Sequence, residues 1–132
     1  MATPAPVLSA KLLLAATNAS RVHEGLLPLV ADARLTAAAA EKLADMQRRR
    51  YFGHQTPDGK YIWETLRRAT CAYHLAGENL GQGLSDEGEL ERSWMRSAPH
   101  RANILNAGYT LIGVAVSERP SMAVVLFADT CG

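Results

Sequence analysis

Leu111-Ile-Gly-Val-Ala-Val-Ser-Glu-Arg-Pro-Ser-Met-Ala-Val-Val-Leu-Phe-Ala128 is the stretch on which the fold turns. Leu111 to Val116 and Met122 to Ala128 are apolar, β-branched runs, and Ser117-Glu-Arg-Pro-Ser121 between them has the polar, proline-bearing chemistry of a connection. Two such runs predict a buried antiparallel hairpin. Upstream the pattern is helical. Leu8 to about His23 predicts a first helix, with Leu12, Ala15, Ala16 and Ala19 on one face and Asn18 and Arg21 close to it. Gly25 and Pro28 end it, and a short extended link follows. Asp32 is placed to cap a second helix, whose Leu35, Ala39, Leu43 and Met46 recur at three- and four-residue steps and form a core-facing stripe. Arg48 to Arg50 supply its cationic last turn, Gly53 closes it, and Thr56-Pro-Asp-Gly59 is a turn.

A short third helix is expected from about Tyr61 to Ala69. Ala72 to Leu80 reads as extended and passes into a glycine-rich loop at Gly81-Gln-Gly83. Asp86 followed by Glu89 resembles a capping box, so a fourth helix is expected from Glu87 to Ser97, burying Leu90 and Trp94, with Pro99 starting a fresh helical turn. Helices early and strands late predict an α+β fold: a three-layer α-β-α sandwich with a small, mainly antiparallel sheet between helices.

The chain has 132 residues, 48% of them hydrophobic, which suits one domain with its own core: an arm over residues 1–7 and a single domain over 8–132. Its 14 Lys+Arg against 13 Asp+Glu give a formal charge of +1, and this excludes the electrostatic footprint of a general nucleic-acid binder. Arg48-Arg-Arg50 is the dense basic cluster, readable as a solvated helix end or as a contact for an anionic lipid or polymer. No apolar stretch approaches the roughly 18 residues needed to span a bilayer. Met1 to Ser20 carries a lysine, Leu12-Leu-Leu-Ala-Ala16 and a small-residue tail, but its apolar run is short for an export signal and serves better as a helix. Cys71 and Cys131 allow one intramolecular disulfide or two buried thiols.

Three separated segments carry the chemistry: Tyr51-Phe-Gly-His-Gln-Thr-Pro-Asp-Gly59, Gly77-Glu-Asn-Leu-Gly81 and Trp94-Met-Arg-Ser-Ala-Pro-His-Arg-Ala-Asn-Ile-Leu105. With Asn18-Ala-Ser-Arg21, Leu27-Pro-Leu-Val-Ala-Asp-Ala-Arg-Leu35 and Ile112-Gly-Val114, they resemble, in order, the motif set of the CAP superfamily in its bacterial, SCP-like form. The resemblance runs from Leu12 to Asp129. It implies a cleft that brings together His54, Glu78 and His100, lined by Ser97, Asn79 and Trp94, with Asn18, Arg21, Arg101 and Asn103 as braces. It also implies an exported protein, secreted or periplasmic, whose export signal is absent from this chain, and hence a Cys71–Cys131 disulfide. Many eukaryotic members have a second glutamate three positions after the tryptophan, where this chain has Ser97. One carboxylate is therefore missing from the expected cleft.

Two imidazoles and a carboxylate can hold Zn2+ or another divalent cation with an open position, or can move protons without a metal. Each residue also has a plain structural reading: His54 as a loop histidine, Glu78 as an exposed carboxylate or a ligand for loop amides, His100 as the orienter of the turn begun by Pro99. A serine nucleophile at Ser97 activated by His100, with Glu78 as orienter, is opposed by the break at Pro99 and by the absence of a Gly-x-Ser-x-Gly elbow. The resulting expectation is a binding module whose cleft takes a divalent ion, a small hydrophobic or polar ligand, or a cell-envelope partner. Its rival is a metal-dependent, peptidase-like hydrolase in which His54 and His100 hold the metal and Glu78 is the general base. A third reading is an interaction domain whose cleft has no role.

Overall fold

The structure, a computed structural model, describes residues 8–83 and 86–132; the expected N-terminal arm lies outside the described residues. The hairpin forms where its pattern placed it, as β3 (Leu111–Glu118) and β4 (Ser121–Ala128), with Val114 opposite Val125. The rest of the chain is organised around β4. Successive residues alternate between two cores: Met122, Val124, Leu126 and Ala128 on one face, Ala123, Val125 and Phe127 on the other. A strand buried on both faces needs a layer on each side, and helices supply them.

On the first face lies α2 (Ala33–Arg49), whose Leu35, Ala39, Leu43 and Met46 are buried, with α3 (Ile62–Arg68) beside it. Asp32 caps α2 by accepting from the backbone N–H groups of Arg34 and Leu35 at 2.8 and 3.1 Å. On the second face lie α1 (Ala10–His23), α4 (Glu87–Met95) and α5 (Ala98–Ile104), contributing Leu13, Leu90, Trp94 and Ile104. The sheet order is β1-β3-β4-β2, with β1 (Val30–Ala31) parallel to β3 and β2 (Ala76–Gln82) antiparallel to β4. The fold is thus α+β, with helices on both faces of a small mixed sheet.

Several local expectations are corrected. The buried stripe of α1 is Leu13, Thr17 and Arg21, one position away from the apolar face first counted, and Leu12 is 57% exposed. Polar contacts set that rotation. Thr17 and Ser20 donate to the buried carboxylate of Glu91 on α4 at 2.8 and 3.0 Å, and Arg21 is gripped by carbonyls. The α2 helix is closed by Arg50 in the left-handed region (φ 58°), three residues before Gly53. The third correction concerns β2, which starts later and runs through Gly81 to Gln82 where a loop was expected. There Gly81 lies against Leu90 and Trp94, so a side chain would collide. The link after Pro28 contains β1, too short for periodicity to register.

Cys71 and Cys131 are joined, closing a loop with a sequence separation of 60 and tying the start of β2 to the end of β4. Cross-linking a loop of that size contributes about 4 kcal/mol in the chain-entropy treatment.

Candidate functional site

Glu78 sits in β2, the far edge of the sheet, and is 6% exposed. The outer backbone edge of β2 is covered by side chains rather than by another strand. Asn103 of α5 donates to the Glu78 carbonyl at 3.1 Å, and the Trp94 indole of α4 donates to the Leu80 carbonyl at 3.1 Å. Such cover blunts an edge that could otherwise pair with another chain. Asn103 also donates to Asn79 Oδ1 at 2.9 Å, while Asn79 donates to the His100 carbonyl at 3.1 Å. Asn79 and Trp94 are buried. Neither is among the residues that line the cavity beside Glu78.

His54 comes in from the loop after α2, and its Nδ1 donates to Glu78 Oε1 at 2.7 Å, a length typical of a charge-assisted bond. The bond to Glu78 raises the His54 imidazole above its ordinary value of 6.5, against the opposing effect of partial burial. The other carboxylate oxygen, Oε2, is buried and has no hydrogen-bond partner among the described residues. Buried carboxylate oxygens are rarely left so, and this residue borders a cavity of about 320 Å³ lined by His54, Glu78, Tyr61, Ile62 and Trp63.

His100 is differently placed. Ser97 is the N-cap of α5 with Pro99 inside its first turn, so Ser97 and His100 share that turn, and His100 Nδ1 meets Ser97 Oγ at 2.8 Å. The expected break at Pro99 does not separate them, because the helix restarts before the proline. The His100 ring stacks on Trp94 with ring centres 6.2 Å apart, and burial, then the nearby His54 charge, lowers its basicity. It does not line the cavity over Glu78.

Tested against a metal, these residues do not fit a three-ligand centre as they stand. Glu78 Oε1 is taken by His54, His100 Nδ1 faces Ser97, and among the described residues no three His, Cys, Asp or Glu side chains converge.

Sequence reasoning missed Lys42. This lysine is 4% exposed and donates to the His54 carbonyl at 3.1 Å and to Tyr51 Oη at 3.3 Å, lying over the Tyr51 ring. Desolvation lowers its basicity, and the attraction of Glu78 opposes that. Its signal was a lysine inside the apolar stripe of α2, one residue before Leu43 and four before Met46. Tyr61 and Trp63 were missed as a cavity wall; their signal was two aromatics flanking Ile62 at the start of the expected third helix, just after the turn that follows His54. Of the braces, Asn18 exchanges two hydrogen bonds with the backbone of Leu29 at 2.7 and 3.0 Å. Arg101 makes an exposed 3.8 Å ion pair with Glu24. In the basic triplet, Arg48 and Arg49 both pair with Asp45 at 2.8 Å.

This architecture and motif order are matched among known proteins. The profile of CAP, the cysteine-rich secretory protein family, matches residues 14–127, and the chain belongs to that family. "Uncharacterized protein YkwD" of Bacillus subtilis (strain 168) is 39% identical over 106 residues, covering 80% of this chain and 41% of that protein. The chain thus spans about two-fifths of the length of that relative. An extracellular protein containing a SCP domain from Bacillus anthracis str. Ames superimposes with a TM-score of 0.83 at 29% identity, over 90% of this chain and 39% of its own. An outer surface protein from Borrelia burgdorferi shares the fold, with a TM-score of 0.83 at 21% identity over 91% of each chain. No described helix is long and apolar enough to cross a membrane.

Proposed function

We propose that this CAP domain is an exported binding module whose ligand is taken in the cleft formed by His54, Glu78 and the wall of Tyr61, Ile62 and Trp63. The observation that carries the reading is the unpartnered, buried Glu78 Oε2 beside a half-exposed imidazole at an apolar cavity. A few fixed polar groups on a mainly apolar wall are the make-up of small-molecule sites, and about 320 Å³ falls at the small end of their range. Export is supported by the extracellular and outer-surface relatives and by the Cys71–Cys131 disulfide.

The rival is a hydrolase in which His54 and His100 would have to draw together to hold a metal that would polarise water, with Glu78 as the base. Its support is the same free carboxylate oxygen, since a general base must have a lone pair facing the reacting proton. Calorimetric titration of zinc into chelator-stripped protein near neutral pH, in parallel with the His54→Ala, His100→Ala double variant, tests whether the site holds the metal that the hydrolase requires. For a module without a resident metal, the heats of the two proteins are expected to coincide. Stoichiometric binding in the wild type that vanishes in the variant would supply the hydrolase's metal, and turnover that then disappears with chelator and in Glu78→Gln would overturn the binding reading.

A further inference from the structure

We propose that the cavity over Glu78 takes a neutral ligand that carries an N–H or O–H donor next to an apolar group of aromatic size, rather than a metal ion or an ammonium cation. The inference deepens the binding reading and rests on it. The donor requirement comes from Oε2. A buried carboxylate oxygen without a partner among the described residues leaves a strong acceptor unused, and a ligand that donates to it supplies the interaction that those residues do not.

The neutrality comes from what already surrounds that carboxylate. Oε1 receives His54 Nδ1 at 2.7 Å. The buried Lys42 ammonium is held in place by the carbonyl of His54 itself and by Tyr51 Oη, so a positive charge is fixed beside the residue that pairs with Glu78. Tyr51 in turn donates to Asp45 at 2.6 Å, and Asp45 is clasped by Arg49, so this cation is fixed rather than swinging. One carboxylate with a fixed ammonium nearby and an imidazole on one oxygen has little attraction left for a further cation, whose hydration would also have to be given up. A neutral donor carries a much smaller desolvation cost at the same position.

The size and character of the rest of the ligand come from the wall. Tyr61 and Trp63 are 45% and 36% exposed, two large rings held on either side of buried Ile62 at the start of α3. An apolar group of aromatic size seated there gains face or edge contact with these rings, Trp63 itself being tilted against Tyr73 with ring centres 6.0 Å apart.

Four probes sharing one benzyl group isolate the donor: N-benzylacetamide, benzyl alcohol, benzyl acetate and benzylamine. Each is titrated into the isotope-labelled full chain while the indole N–H resonances are followed. Trp63 reports on the cavity, and the buried Trp94, engaged with Leu80, reports on the fold. The amide or the alcohol is expected to bind at least about tenfold more tightly than the ester, the worth of roughly one hydrogen bond, and more tightly than the amine. Which of the two is tighter identifies the source of the donor. If the ester matches both, or the amine binds tightest, the inference is overturned while the binding reading stands. Should no probe move Trp63 at any soluble concentration, both are overturned. In Trp63→Ala, followed by calorimetry, all the affinities are expected to fall while the order of amide or alcohol over ester persists.

Discussion

Gly113→Ala is expected to lose about 3 kcal/mol or more of stability, seen as a fall of roughly 10 °C in the thermal unfolding midpoint by circular dichroism. Gly113 lies on the face of β3 that meets α2, as do Leu111 and Ala115, between Ile112 and Val114, which face the opposite core. A Cβ there would fall inside contact distance of the backbone of Leu35 and Thr36. Backbone cannot rotate away as a flexible side chain can, so the helix itself must lift from the sheet. That displacement would also disturb the site, since Lys42 lies on the same helix two turns further on. A change of only a degree or two would mean that α2 does not pack on β3 as closely as described.

The second large effect is expected for Arg21→Met, about 3 to 5 kcal/mol, measured by urea unfolding. The Arg21 guanidinium is 2% exposed and donates to the carbonyls of Leu27 at 2.9 Å, Ile104 at 2.8 Å, Asn106 at 2.9 Å and Tyr109 at 3.4 Å. Ile104 is the last residue of α5, so a fixed cation sits at the negative end of that helix. Methionine keeps much of the volume but leaves these acceptors without their donor. Because α5 carries His100 and Asn103, their resonances should broaden or move as well. Wild-type stability in this variant would contradict the role given to Arg21.

The hairpin was legible as two continuous apolar, β-branched runs around a polar connection, and the α2 stripe because burial there recurs every three to four residues. Helix α1 was placed but turned to the wrong face, because its rotation is decided by Thr17, Ser20 and Arg21 reaching partners more than 70 residues away, as in Thr17–Glu91. Gly53 looked like the end of α2, yet Arg50 takes the left-handed position, since the chain must turn early to bring Tyr51 back over Lys42. In the site, motif resemblance singled out His54, Glu78 and His100 but could not say which touches which. The link from Lys42 to the carbonyl of His54 crosses 12 residues from helix to loop, and no local pattern encodes it.

The two histidines should respond to pH with opposite signs. His54 is raised above 6.5 mainly by its bond to Glu78, so the folded state binds its proton more tightly than the unfolded chain does. Its stabilisation is complete below about 6.5 and is lost as pH rises through the elevated folded value. His100 is lowered, first by burial and then by the charge of His54. Its contribution is present above about 6.5 and is lost as pH falls through the depressed folded value. The two slopes oppose one another in a global unfolding curve, so the residues have to be followed individually.

The most direct test of a site built on a His54–Glu78 pair, with His100 held apart by Ser97, is therefore an NMR titration of the imidazole side chains in the wild type and in Glu78→Gln. The expected result is a His54 midpoint above 6.5 and a His100 midpoint below it, with His54 falling markedly in the variant. A His54 midpoint at or below 6.5, or one indifferent to Glu78→Gln, would contradict the pair on which the site is built.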